Sequence, residues 1–494
     1  MMLWKTNRHI KLCQMMKGDK VMRKATGTFP ISTILIVCCL GGIASGFSGG
    51  NGSEGEPYQI SNKTQLEQVN NDLSAHYILL NSIDLTGTTY PQPVIAPFVS
   101  ASTSGLTGSF DGDGHAIIGA SVQASGSNYI GLFGYVRAGG EIKNLGVENC
   151  NMRGRYEVGG LVGRVSAGTF TNCYTTGQVN GSGKVGGLAG YNDGGDFIKC
   201  HSTAQVTSPS SRVGGLLGFH SNGGVITDSY ATGPVQGTDY VGGLVGQSGT
   251  NGTISRSYYD GSVIGSGLSI GGLVGISEGT ISDCYSTGSV RGNDWVGGLA
   301  GGHCSSSGAS SYSMSRCYSD AFVEATSTNP TSGACGITAV NGGVLTACFW
   351  DVESCDTDVA YTIKSGSYPN YVYTPVYNNP GATEGKTTVE MRTRSTFTGA
   401  GWDFNAETTN GTDDLWHMPY GVADSPMLSL QRDIPGDWGG RYGVDTTDFT
   451  ILAEAWGLSV GNAGYNDVCD LVDDDTIGID DFALFIQNWL AGIY

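Results

Sequence analysis

Val158-Gly-Gly-Leu-Val-Gly163 decides the fold, because near copies follow it at an almost fixed interval. They are VGGLAG from Val185, VGGLLG from Val213, VGGLVG from Val241, IGGLVG from Ile270 and VGGLAG from Val296. Their spacings are 27, 28, 28, 29 and 26 residues, and weaker copies begin at Ile130 (IGLFGY) and Ser332 (SGACGI). A period in this range marks a solenoid, in which each unit stacks only on its neighbours. Gly and β-branched residues dominate and no 3.6-residue pattern survives, which argues against helices. Each unit reads as three short strands; in the copy from Ile270 they are GGLVG, GTISDCYS and GSVRG. Strands this short bury a face only by pairing with their equivalents above and below, so the fold class is an all-β parallel β-helix. Val158, Leu161, Val162 and their equivalents fill the interior, and the Gly pair between them permits a corner that a side chain would block. Eight rungs at ~4.8 Å give a rod of roughly 40 Å.

Gly makes up 80 of the 494 residues, more than twice its usual share, and the excess falls inside the repeats. Charged residues are 14% and the net charge is −19. Nucleic acid is excluded as a partner, since phosphates demand clustered Lys and Arg. The balance suits an exported protein that meets divalent cations. Residues 1–46 read as a signal peptide: the basic MMLWKTNRHIKLCQMMKGDKVMRK precedes the apolar FPISTILIVCCLGGIASG, which ends in small residues. The basic region is long if counted from Met1, so Met22 is a second candidate start, and cleavage is expected near Gly46. An uncleaved anchor is the rival reading, for which the run is short. Val37 before Cys38 fits lipidation poorly, and no other segment reads as membrane-spanning.

Of 13 Cys, ten lie beyond this leader. Cys150, Cys173, Cys200, Cys284, Cys317 and Cys348 share one place in successive repeats, with Ser229 and Ser257 filling it elsewhere. Side chains one rung apart point in parallel, which strains a disulfide, so a column of small buried thiols is expected. None shows zinc spacing.

Residues 47–57 read as a linker and 58–129 as an N-terminal cap with a first coil. In ISNKTQLEQVNNDL a short helix is expected, with Ser61 or Asn62 as N-cap and Leu66, Val69 and Leu73 on one face. HYILLNSIDL is strand, and GLTGSFDGDGHAIIGASV an irregular coil. The solenoid proper spans 130–348. From Phe349 the period is lost, and 349–432 read as a C-terminal cap with a short helix near 388–394. Trp402 and Trp416 close the stack or, alternatively, form a carbohydrate platform.

The region 58–430 resembles the bacterial GLUG-motif family. The resemblance rests on YQISNKTQLEQV, GSFDGDGH, the VGGLVG series, and CFWD followed by TTVEMR and GWDF. It implies a surface or secreted protein whose repeat region presents or adheres.

The last stretch changes character. GVDTTDFTILAEAWG and GIDDFALFIQNWLAG repeat one helical pattern 33 residues apart. Phe449, Leu452 and Trp456 fall on one helical face, as do Phe482, Phe485 and Trp489. Two such helices cannot build a large core, so a metal staple is expected. Asp470, Asp474 and Asp481 stand at positions 1, 5 and 12 of a calcium-loop frame, where a hard cation finds converging oxygens. Val472 and Asp475 depart from that frame at positions 3 and 6, and Asp473 or Asp475 substitutes if the register shifts. The first loop keeps Asp437, Asp445 and Asp448 but has Arg441 at position 5, so one Ca2+ is expected, in the second loop, and the first loop is the poorer site. Without metal, the same residues read as an acidic helix-capping loop. Residues 435–492 resemble a divergent dockerin, carried by YGVDTTDFTILAEAW and YNDVCDLVDDDTIGIDDFALFIQNW. The resemblance implies a helix surface that docks a cohesin-like partner or an envelope component.

No metalloprotease or phosphate-loop signature is present. GLSIG, around Ser269, matches the serine-hydrolase elbow formally but lacks the required following helix. Asp111, Asp113 and His115 are the nearest acid constellation, and Asp-Gly turn chemistry accounts for them. The paired carboxylates of glycoside cleavage do not appear. The sequence therefore predicts a secreted or surface protein without catalysis, its rod binding or displaying glycans and its calcium-dependent tail docking a partner. The alternative is a carbohydrate-active lyase or hydrolase on a β-helix, tethered through the same tail.

Overall fold

The computed structural model describes residues 46–99, 105–304, 312–327, 334–355, 357–367, 370–404, 409–411, 413, 415–418, 425–429 and 482. The leader (1–45) and nearly all of the calcium-loop tail lie outside them. The described unit is a succession of short parallel strands wound into a solenoid. One turn shows the pattern: Tyr156–Val158, Val162–Ser166, Thr169–Thr171 and Tyr174–Asn180. These four segments belong to four sheets, here called faces one to four, of seven, ten, eleven and fifteen strands.

Four segments replace the three expected. VGGLVG is not one strand: its Gly pair turns the chain from face one to face two, so Val158 ends one strand and Val162 begins the next. GTISDCYS is likewise bent, between Thr280–Ser282 and Tyr285–Gly292. Eleven strands stack on face three, from Tyr58–Ile60 to Val344–Thr346. The eight expected rungs are those from Glu141–Lys143 onward, and the N-terminal region adds three more to the same stack.

The register lines up like with like. Val158 pairs with Val185, and the column continues through Val213, Val241, Ile270 and Val296. Phe170, Phe197, Ile226, Ile254, Ile281 and Met314 stack on face three, with Phe170 and Phe197 parallel at 4.5 Å. Leu161, Leu188, Leu216, Leu244, Leu273 and Leu299 fill the corner, all fully buried. Each such aliphatic contributes about 1.5–3 kcal/mol of burial, repeated at every rung.

The second Gly of each pair is required by close backbone approach. A Cβ on Gly187 would lie 2.1 Å from the carbonyl oxygen of Gly215, and one on Gly215 would lie 2.2 Å from that of Gly243. A different device turns faces three and four: Asn144, Asn172, Lys199, Asp228, Arg256, Asp283 and Arg316 all adopt φ between 44 and 53°. Their side chains project outward one above another, and the sequence pairs them. Asn172 donates to Asn144 at 3.1 Å, and Arg256 and Arg316 reach Asp228 and Asp283 at 2.6 Å.

The cysteine column is present in the turns from Cys173 onward. Ser229 accepts from the Cys200 amide at 3.0 Å and Ser257 from the Ser229 amide at 3.1 Å. Cys150 is not part of it: it pairs with Gly177 on face four, and Leu145 holds the equivalent place, since its carbonyl accepts from Tyr174. None of the nine described cysteines forms a disulfide.

At the N-terminal end the expected helix spans Lys63–Gln68, and Asn62 is its cap, accepting the Gln65 amide at 3.1 Å. Leu66 and Val69 enter the core of the first rung. At the other end Trp350 plugs the interior, its indole donating to the Thr357 carbonyl at 3.0 Å. Face two finishes in an antiparallel hairpin of Tyr361–Ser367 and Asn370–Val376. Helices Thr388–Met391 and Arg394–Thr398 follow. Contrary to expectation, the segment carrying Trp402 and Trp416 does not close the stack. It lies against the outer side of face four, where Phe397, Trp402, Phe404 and Trp416 cover Tyr258, Tyr285, Tyr318 and Phe349. Both tryptophans are fully buried, so neither offers a platform to sugars.

Candidate binding cleft

Two outward ladders run beside the Gly-Gly corner. One is the left-handed residue before each face-one valine: Tyr129, Glu157, Lys184, Arg212, Tyr240, Ser269 and Trp295, with φ between 51 and 65°. The other is the outward position of face two: Tyr135, Arg164, Tyr191, Phe219, Gln247, Ile276, Gly302 and Val340, in register. Both positions are free of interior packing, so their side chains vary where the core does not.

On the earlier rungs the ladders hold each other. Lys184 lies 3.9 Å from the Tyr191 ring centre, Arg164 lies 4.8 Å from it, and Arg212 sits between Phe219 and Tyr240 at 5.6 and 5.8 Å. Such contacts contribute about 0.5–1 kcal/mol at exposed sites. Glu157 balances the cations, 2.9 Å from Lys184 and 3.5 Å from Arg164.

Further along, both ladders break at neighbouring levels. Ser269 is small and fully buried where its neighbours carry rings, and Gly302 has no side chain one rung on. A cleft of about 370 Å³ lies beside these levels, lined from both ladders by Arg212, Tyr240, Trp295, Gln247, Ile276 and Val340. Tyr240, Trp295 and Tyr312 wall it, and Ile276 and Val340 form its apolar floor. Tyr240 and Trp295 stand two rungs apart, ~10 Å by strand spacing. Arg212, Gln247 and Glu278 bring polar atoms to the rim. Arg212 donates to Gln247 at 2.6 Å, and Asn341 is fixed by two bonds with Gly343 at 3.0 and 3.2 Å. Among the described residues Glu278 makes no ion pair.

Beneath the cleft runs an inward polar column on face two, through Asn192, His220, Ser248, Ser277, His303 and Asn341. Asn192 meets His220 Nδ1 at 3.0 Å. His303 is fully buried, neither ring nitrogen has a hydrogen-bond partner, and the Tyr312 ring stands edge-on at 5.2 Å. Burial pushes both His220 and His303 down to about 4.

The lining carries one carboxylate, Glu278, and glycoside cleavage requires two acting across a bond. Asp111 accepts from the Asp113 amide at 2.9 Å and from Asn144 at 3.1 Å, which is turn chemistry, and His115 joins through its carbonyl, bonded to Gly146 at 3.2 Å. Ser269 lies in the strand Leu268–Gly271 and continues into strand, so no nucleophile elbow exists there. Among the described residues no three His, Cys, Asp or Glu side chains converge as metal ligands. The expected calcium residues Asp437, Asp445, Asp448, Asp470, Asp473, Asp474, Asp475 and Asp481 lie outside the described residues, as do Phe449, Leu452, Trp456, Phe485 and Trp489. Phe482 is described, as a half-buried helical residue. The cleft itself went unread in the sequence, although aligning the turns would have shown Ser269 and Gly302 as departures from two bulky columns.

Comparison with known proteins agrees with the turn as the repeating unit. A 140-residue stretch is 35% identical to Halomucin of Haloquadratum walsbyi, covering 27% of this chain and 2% of that protein. A 104-residue stretch is 33% identical to a protein of Evansella cellulosilytica provisionally named a Gly-rich membrane protein, covering 21% of this chain and 12% of that one. The chain thus spans a small fraction of the relatives it matches. A crystal structure from Bacteroides ovatus, provisionally titled an immunoglobulin A1 protease, is 20% identical with a TM-score of 0.41, over 78% of this chain and 95% of that one. The GLUG motif is matched at residues 154–180, 181–207, 210–236 and 266–291. Each match runs from the approach to face one to face four, so the chain carries the GLUG motif as the single turn of a parallel β-solenoid.

Proposed function

We propose that the protein is an exported, non-catalytic rod of the cell surface or extracellular space, which binds through its outer ladders and is docked through its tail. The observation that carries this is the division of labour within each turn. The glycines and aliphatics of VGGLVG are occupied by corners and interior stacks, while the outward columns vary and open one cleft without an acid pair. Matches to proteins named a mucin and a membrane protein support the location, as does the leader-like stretch 1–46. Antibody labelling of intact cells of the source organism tests it. Surface signal, with no depolymerisation of pectin, alginate or sulfated glycan by purified protein, is expected. Turnover of any of these would install the carbohydrate-active enzyme in its place.

The tail completes the reading. Asp470, Asp474 and Asp481, with Asp473 or Asp475, hold one Ca2+, and Asp437, Asp445 and Asp448 form a poorer second loop. The faces of Phe449, Leu452 and Trp456 and of Phe482, Phe485 and Trp489 dock a cohesin-like partner or envelope component. Calorimetric titration of the full chain with Ca2+ should show heat that is lost in D470A/D474A. An athermal titration with unchanged circular dichroism would remove the metal from the proposal.

A further inference from the structure

We infer that the cleft between Tyr240 and Trp295 is a binding site for an uncharged glycan segment lying along the rod. The inference deepens the proposed function and relies on it only for access to extracellular sugar. A sugar ring presents weakly polar C–H faces and hydroxyl edges, so its site needs ring faces for the one and fixed planar donors and acceptors for the other. The cleft supplies both. Tyr240 and Trp295 wall the cleft, and Ile276 floors it. Arg212, Gln247 and Glu278 mix donors with acceptors, as hydroxyl groups require.

Arg212 is already set, clamped by Phe219, Tyr240 and Gln247, so little ordering of it accompanies binding. The Tyr312 wall stands perpendicular to the His303 ring at 5.2 Å. Charge selects the ligand class. One cation faces one carboxylate across the cleft, and the chain carries −19 overall, so a polyuronate meets repulsion where a neutral chain does not. The register gives direction: the lining steps rung by rung from Arg212 to Asn341, so a bound chain runs parallel to the rod axis.

Calorimetry of the full chain against glucan, mannan, xylan and galactan hexamers, with hexagalacturonate alongside, tests the site. At least one neutral hexamer should bind with one site per chain, and hexagalacturonate should not. Trp295→Ala should weaken binding about tenfold or more, with partial rescue by Trp295→Phe. Gly302→Ile is the sharper variant. The nearest atoms to a Cβ there are those of Ile276 at 3.4 Å and the Cys304 sulfur at 3.6 Å, ordinary contacts, and the rungs on either side already carry Ile276 and Val340. The added side chain fills the cleft floor, so binding should vanish while the unfolding midpoint holds or rises. Binding that survives Gly302→Ile, a preference for hexagalacturonate, or silence from every neutral hexamer would overturn the inference. Surface labelling without glycan binding would sink this site and spare the proposed function; binding accompanied by hydrolysis would do the reverse.

Discussion

Among the described residues neither ring nitrogen of His303 has a hydrogen-bond partner, and His220 is fully buried in the same column. Burial holds both down to about 4, against an ordinary 6.5. Between those values the unfolded chain takes up protons that the folded chain refuses, so the unfolded state gains as pH falls. Stability is full above about pH 6.5 and is lost progressively toward pH 4, by an order of 3 kcal/mol for each histidine. Asparagine already occupies this column at Asn192 and Asn341. The double variant H220N/H303N should therefore fold, and its melting midpoint, followed by circular dichroism across that window, should fall less steeply than that of the wild type. The thiols make a second residue-scale prediction. Burial pushes Cys150 and Cys335 up to about 12, and Cys173, Cys317 and Cys348 well above their ordinary value. Only thiolate reacts, so iodoacetamide under native conditions should modify half-buried Cys304 well before these, as read by peptide mass spectrometry.

At the scale of the element, the two glycine roles separate cleanly. Gly215 stands in a corner where a Cβ would lie 2.2 Å from the Gly243 carbonyl oxygen and 2.8 Å from Ala231, so neighbouring rungs must part to admit it. Gly223 has φ +80° and nothing within 4 Å, so a side chain there costs only the left-handed backbone. Gly223→Ala should destabilise by about 1 kcal/mol and Gly215→Ala by roughly 3 kcal/mol or more, with new protease cleavage near the broken corner. The same contrast explains what could be read from the sequence. The apolar letters of VGGLVG gave the interior and its period correctly, because Val158, Leu161 and Val162 all point inward. The count of strands per turn was misjudged because strands such as Val213–Gly214 are two residues long. No periodicity develops in so short a run. The cleft was hidden for another reason: its lining residues Tyr240, Trp295, Ile276 and Val340 come from separate turns and are brought together only by the strand registers.

For the whole described unit, the decisive feature is the aromatic column on the outside of face four. Tyr174, His201, Tyr230, Tyr258, Tyr285 and Tyr318 stack at 4.6–5.1 Å with nearly parallel rings. Residues 388–429 cover the later part of this column through Phe397, Trp402, Phe404 and Trp416, bonded by Trp402 to Ala347 at 3.1 Å and by Tyr318 to Pro426 at 2.5 Å. The sequence placed these aromatics at the end of the stack because they follow the last repeat. Their partners, Tyr258, Tyr285 and Tyr318, recur with the repeat period and point outward, which explains the lateral position. In a solenoid each rung is held by its neighbours, and the parallel ladder is complete by Thr383–Lys386. Ending the chain after residue 387 should therefore leave the rod folded, with its β-rich circular dichroism intact. It should also uncover a contiguous aromatic stripe, which marks an association surface. The truncated rod should bind a hydrophobic dye and self-associate in sedimentation, and serine at 258, 285 and 318 should return it to monomer. If truncation instead abolishes the β signal, the flank is a folding cap that the rod cannot do without, and the neighbour-only picture of its stability fails.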